Sequence, residues 1–181
     1  VSSGNERLDP GYSHNINFHY NHTNLEKGRT FMWMFSLRGA QNYISQSLYT
    51  GNNIPQAVVD EIGSKPIQYS TYANVDGYKS LRTHISYGIP INPIKCNFNI
   101  GANASYSKSP AILNGTVNES TRNGYGANAS LSSNFSQYVD FSFRYSANYS
   151  DIKNTMSNNG NNEYLQHSAS GNVRVVFGFG L

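Results

Sequence analysis

Long hydrophobic runs are missing from this chain of 181 residues: the longest is Phe31, Met32, Trp33, Met34, Phe35, far below the roughly 20 apolar residues of a membrane-spanning helix. A helical membrane protein is thereby excluded. Charge is scarce as well, with 13% Asp, Glu, Lys and Arg against roughly 25% in an ordinary soluble domain. The 13 basic and 10 acidic residues leave a net charge of +3. The basic ones are scattered, so the footprint of a nucleic-acid binder is absent. A single cysteine, Cys96, allows neither an intrachain disulfide nor a cysteine metal cluster. The chain opens on Val1 without an initiator methionine or a signal peptide, as expected of a processed protein or a piece of a longer one.

Uncharged polar residues fill the gap, with 25 Asn and 24 Ser beside 14 Tyr and 9 Phe. Aromatics in that number argue against a disordered chain. Their arrangement has a period of two, the signature of strands whose successive side chains point to opposite faces. Over residues 96–107 one parity reads Cys96, Phe98, Ile100, Ala102, Ala104, Tyr106, and the other Asn97, Asn99, Gly101, Asn103, Ser105, Ser107. The split recurs at Phe141, Phe143, Tyr145 against Asp140, Ser142, Arg144, and again near 16–20, 30–38, 125–132 and 169–181. Residues 67–91 behave as one strand interrupted at Asp76-Gly77, which is read as a bulge rather than a tight hairpin.

Connection lengths alternate. Residues 24–29, 92–95 and 136–137 are short connections, and 48–65, 109–123 and 155–162 are long ones, the first with a turn or two of helix over 55–62. Short turns on one side and long loops on the other are what outer-membrane barrels show. About seven meander strands result, each long enough to cross a bilayer, where roughly 9 to 11 residues suffice.

A soluble secreted β-sandwich binding glycans through its tyrosine-rich face also alternates, and so does a small closed barrel that gains an eighth strand by splitting 67–91. The polar parity separates the classes. Soluble surfaces are rich in Lys and Glu, whereas Asn, Ser and Gly dominate here and suit a wet lumen bounded by a closed hydrogen-bonded wall. The expected fold is therefore all-β, an antiparallel transmembrane barrel segment occupying residues 1–181. Its lumen-facing candidates are Arg38, Lys79, Arg82, His84, Asp140, Arg144 and Arg174, a set that leans positive and favours anionic or hydroxyl-rich solutes. Lipid-facing or girdle candidates are Trp33, Phe98, Tyr106, Phe141, Phe143, Tyr145 and Phe177. No catalytic set, cofactor or metal site is expected: His14 and His22 share a face but stand about 26 Å apart along a strand, with His19 opposite. Gly-x-Gly at Gly124 and Gly178 has no helix behind it to bind phosphate.

The run Leu8-Asp9-Pro10-Gly11-Tyr12-Ser13-His14-Asn15-Ile16-Asn17-Phe18 resembles the L-x-P-E-x-S-x-N segment that opens a late barrel strand in TonB-dependent outer-membrane receptors, with Gly11 in place of the usual Glu. Asn103-Ala104-Ser105-Tyr106-Ser107-Lys108-Ser109-Pro110 and the Asn-rich strands look like the related outer-membrane β-barrel family. The resemblance implies the C-terminal third or so of a barrel of about 22 strands, without the plug, in the bacterial outer membrane, importing an iron chelate, cobalamin or glycan. It also implies the partners: outer-membrane lipid, the remaining strands and plug of the same parent chain, TonB through the N-terminal part of that chain, and a surface lipoprotein.

Exposed aromatics in such number predict detergent dependence. The isolated chain is expected to run as a single species in size-exclusion chromatography only with detergent, and a monodisperse monomer in plain buffer would overturn the membrane assignment.

Overall fold

The computed structural model describes residues 1–133, 139–156 and 161–176. Nine strands form one sheet: β1 (Tyr12–Asn24), β2 (Arg29–Gln41), β3 (Tyr43–Thr50), β4 (Gln68–Val75), β5 (Tyr78–Ile91), β6 (Cys96–Leu113), β7 (Thr116–Ser133), β8 (Val139–Asn154) and β9 (Asn162–Val175). Seven of them make the wall, in the order β1-β2-β5-β6-β7-β8-β9, each antiparallel to the next. The sheet is open: among the described residues β1 and β9 each have a strand on one side only.

β3 and β4 continue β2 and β5 outward. Ala40 pairs with Tyr78 in the wall, and Tyr43 with Val75 in the extension. Between these pairs both arms bend together, at Asn42 (φ +49°) and Gly77 (φ +102°), and the Asn42 backbone N–H donates to Asp76 Oδ1 at 2.9 Å. Asp76-Gly77 thus bends one strand and does not close a hairpin. Among the described residues the eighth wall strand that a small closed barrel needs does not arise, because β4 pairs with β3 outside the wall. The extension carries helix α1 (Gln56–Ile62) between its strands, and the first residues of the chain run along it, with Ser3 N–H donating to Ser70 O and Ser70 N–H to Val1 O.

One expected loop is a hairpin instead. Residues 109–123 belong to β6 and β7, which pair without interruption from Cys96↔Ser133 to Leu113↔Thr116. Asn114 (φ +52°) and Gly115 (φ +82°) form the two-residue turn, the backbone that a type I′ connection requires. The alternation fades there because the outward parity changes to Lys108, Glu119, Thr121 and Asn123. Beyond the hydrocarbon the lipid-facing pattern is no longer needed, while the hydrogen-bond ladder goes on.

Among the described residues no second layer covers the apolar parity of the wall. Phe143 is 52% exposed and Ile100 50%, and the buried hydrophobic residues are Ile54, Tyr69, Val75 and Cys96, three of them in the extension or its connection. A soluble sandwich would bury that face against a partner sheet, so the sandwich alternative falls. The expected turn at 136–137 and the girdle candidate Phe177 lie outside the described residues.

The left-handed backbone at Gly115 makes a quantitative expectation. Gly115→Ala should lower unfolding stability by about 1 kcal/mol, the cost of holding an L-residue at positive φ, read from urea titration of the detergent-folded protein. An unchanged midpoint would rule out the two-residue turn.

Candidate functional site on the polar face

The register sets the polar residues in rows that cross the strands. One row runs Asn17, Ser36, Arg82, Ser105, Gly124, Ser150, and the next His19, Met34, His84, Asn103, Gly126, Asn148. Glycine and asparagine interlock within them. A Cβ at Gly126 would stand 2.5 Å from Asn103 Oδ1 and 2.6 Å from Asn148 Oδ1, and one at Gly88 would stand 2.5 Å from Thr30 Oγ1 and 2.6 Å from Asn99 Oδ1. Gly101 sits in the same way beneath the Asn128 amide. Neighbouring strands are only about 4.8 Å apart, and at Gly88, Gly101 and Gly126 the missing Cβ leaves room for the amide of the adjacent strand.

Charge on this face is almost wholly arginine. Arg38, Arg82, Arg144 and Arg174 share the polar parity, with His84 in the next row and Asp140 directly opposite Arg174. Arg122, paired with Ser107, joins them. It was hidden in the stretch read as a loop, and its even spacing from Gly124 and Gly126 is the signal that finds it. Lys79 is a correction: it pairs with Gly39 and Lys108 and has the parity of Leu81 and Ile85, which puts it on the apolar face. Strand β5 runs without a bulge from Tyr78, so its odd residues cannot change sides.

The opposite face carries the described girdle candidates. Trp33 Nε1 donates to Thr83 Oγ1 at 3.0 Å, and the Trp33 ring meets Phe18 edge-on at 5.2 Å. Phe98 is paired with Leu131, Tyr106 with Leu81, Phe143 with Leu131, and Phe141 with Val173. Tyr145 shares a 2.7 Å hydrogen bond with His167 Nδ1. Further toward the long-connection side this parity becomes charged, with Lys108 on Glu119 at 2.8 Å and Lys153 on Asp151 at 3.5 Å. These are the ion pairs among the described residues, and both stand on the outward face.

Three hollows follow one another over the polar face. A hollow of about 480 Å³ includes Asn17, Arg82, His84 and Asn103. One of about 430 Å³ runs from His84 to Asn128 and Arg144, and one of about 400 Å³ from Arg144 to Ser170 and Asn172. Shared residues, first His84 and then Arg144, make them a diagonal trail. Its lining offers guanidinium and amide donors and hydroxyls, groups that hold oxyanions and hydroxyl-rich solutes. Among the described residues no three His, Cys, Asp or Glu side chains gather.

A single-layer antiparallel wall with one aromatic face, one wet face and a satisfied backbone ladder belongs to the outer-membrane β-barrels. The chain is a member of the outer membrane protein β-barrel family, whose sequence model matches residues 1–175, and its place is the bacterial outer membrane. Neither the curated proteins nor the solved structures contain a match.

The Asn and Gly tiling makes two glycines behave differently. Gly126→Ala forces two amides aside and should cost about 1 kcal/mol. Gly39→Ala, with nothing within 4 Å of its new methyl, should be neutral or slightly stabilising. Equal midpoints in parallel urea titrations would show that the tiling carries no energy.

Proposed function

We propose that the chain is an arc of the barrel of a TonB-dependent receptor, and that its polar face is the wet wall past which an anionic or hydroxyl-rich nutrient moves. The observation that carries the solute class is the trail of hollows joining Arg82 to Arg144. Guanidinium forks bind carboxylate and phosphate bidentately, and the wall arginines Arg38, Arg82 and Arg122 have no acid opposite them in register. Two further observations support the receptor reading. β1 and β9 both leave an edge for further strands, and seven wall strands are an odd count where single-chain bacterial barrels have an even one. The strands before β1 and after β9, and a plug, are then contributed by other parts of the parent chain. Energy enters through TonB, and the outward extension of β3, α1 and β4 offers a surface lipoprotein its contact.

Replacing Arg82 and Arg144 together by Gln in the complete parent protein should reduce uptake of an anionic solute roughly tenfold, the effect of losing about 1.4 kcal/mol of charge-assisted binding. Uptake of a neutral solute should change little. Unaltered uptake and selectivity would remove the proposed role of the trail, and uptake that survives dissipation of the proton gradient would remove the TonB reading.

A further inference from the structure

Methionine is out of place in a row of His, Asn and Gly. Met34 has the polar parity of β2, is 41% exposed, and is paired on one side with His19 of β1 and on the other with His84 of β5. All three line the hollow of about 480 Å³. No single strand shows this arrangement, because His19 and His84 are 65 positions apart in the chain and meet Met34 only through the register. Two imidazoles therefore flank one thioether across three adjacent strands, over a row of about 10 Å at the usual strand spacing. That span lets both rings lean toward an ion held above the sulfur. Met32 has the same parity two residues back along β2, between Asn21 and Ser86.

We propose that His19, Met34 and His84 form a binding site for a soft monovalent metal ion, Cu(I) or its chemical mimic Ag(I). The donor set decides the class. A thioether with imidazoles selects Cu(I) among biological metals, whereas Mg(II) and Ca(II) require oxygen donors. Zn(II) favours thiolate, imidazole and carboxylate, and the hollow contains neither Cys, Asp nor Glu. Charge points the same way. Arg82 lines the same hollow, and its repulsion for a divalent ion is twice that for a monovalent one at equal distance. Both nitrogen ligands bind as neutral imidazole. The site is independent of how uptake is energised.

The test uses the complete parent protein in detergent, titrated without oxygen with Cu(I) against the chromophoric chelator bicinchoninate. One tight equivalent is expected. Met34→Leu, which keeps the side-chain volume, should weaken it at least tenfold, and His19→Gln with His84→Gln should remove it. His167→Gln, on the apolar face, should leave it unchanged. X-ray absorption should show a sulfur neighbour in the parent that disappears in Met34→Leu. A measurement without any substitution covers the case of misfolding variants: Ag(I) should protect Met34 from peroxide oxidation, while Met156, 42% exposed on a turn, oxidises at its usual rate. Absence of a tight equivalent, equal affinity in the parent and the variants, or equal oxidation of Met34 with and without Ag(I) would overturn the site.

Discussion

Inside a bilayer no water is available to a backbone amide, so each N–H and C=O of a spanning segment has to be satisfied by another part of the protein. The wall meets that demand with ladders: β6 is paired with β7 along its whole length and with β5 over residues 79–91 of that strand. Everything else in the molecule follows from keeping the ladder intact. It permits a single layer without a hydrophobic core, because the solvent for the apolar face is lipid. It also keeps parity constant over each strand, which is why Lys79, two residues before Leu81 in an unbroken strand, lies on the apolar face.

The ladder also sets the spacing at which side chains must coexist. At about 4.8 Å between strands, a glycine makes room on the polar face for the asparagine amides that lean over it, as at Gly126 between Asn103 and Asn148. Most cations of the wall are sorted across the sheet. Arg38, Arg82, Arg122, Arg144 and Arg174 take the wet parity, and Lys79, Lys108 and Lys153 the other, joined by Arg29 at the first position of β2. Arginine keeps its charge and offers a planar fork for oxyanions. Lysine carries its ammonium on a flexible stem that reaches the head-group region from a lipid-facing position.

Much of the architecture was legible beforehand. Phe98, Ile100 and Ala102 against Asn97, Asn99 and Gly101 suffice to orient β6, and the same reading gave seven wall strands, the helix near residues 56–62 and the bend at Asp76-Gly77. The errors came where the pattern lost its physical cause. Beyond the hydrocarbon, Lys108, Glu119 and Thr121 break the alternation although the strands continue, so the pattern alone makes 109–123 a loop and hides Arg122. The Asn114-Gly115 pair, a turn signal in its own right, marked the hairpin.

The sequence by itself determined which residues share a face, since a strand's parity is local and a period of two needs no partner to be seen. The tertiary structure alone decided which residues meet across strands, because register is a relation between segments far apart in the chain. His84 beside Met34, Asn103 over Gly126 and the trail from Arg82 to Arg144 exist only once the strands have slid into place. A shift of two residues would preserve every face and abolish every one of these neighbours. Parity therefore carries the membrane, and register carries the chemistry of the lumen.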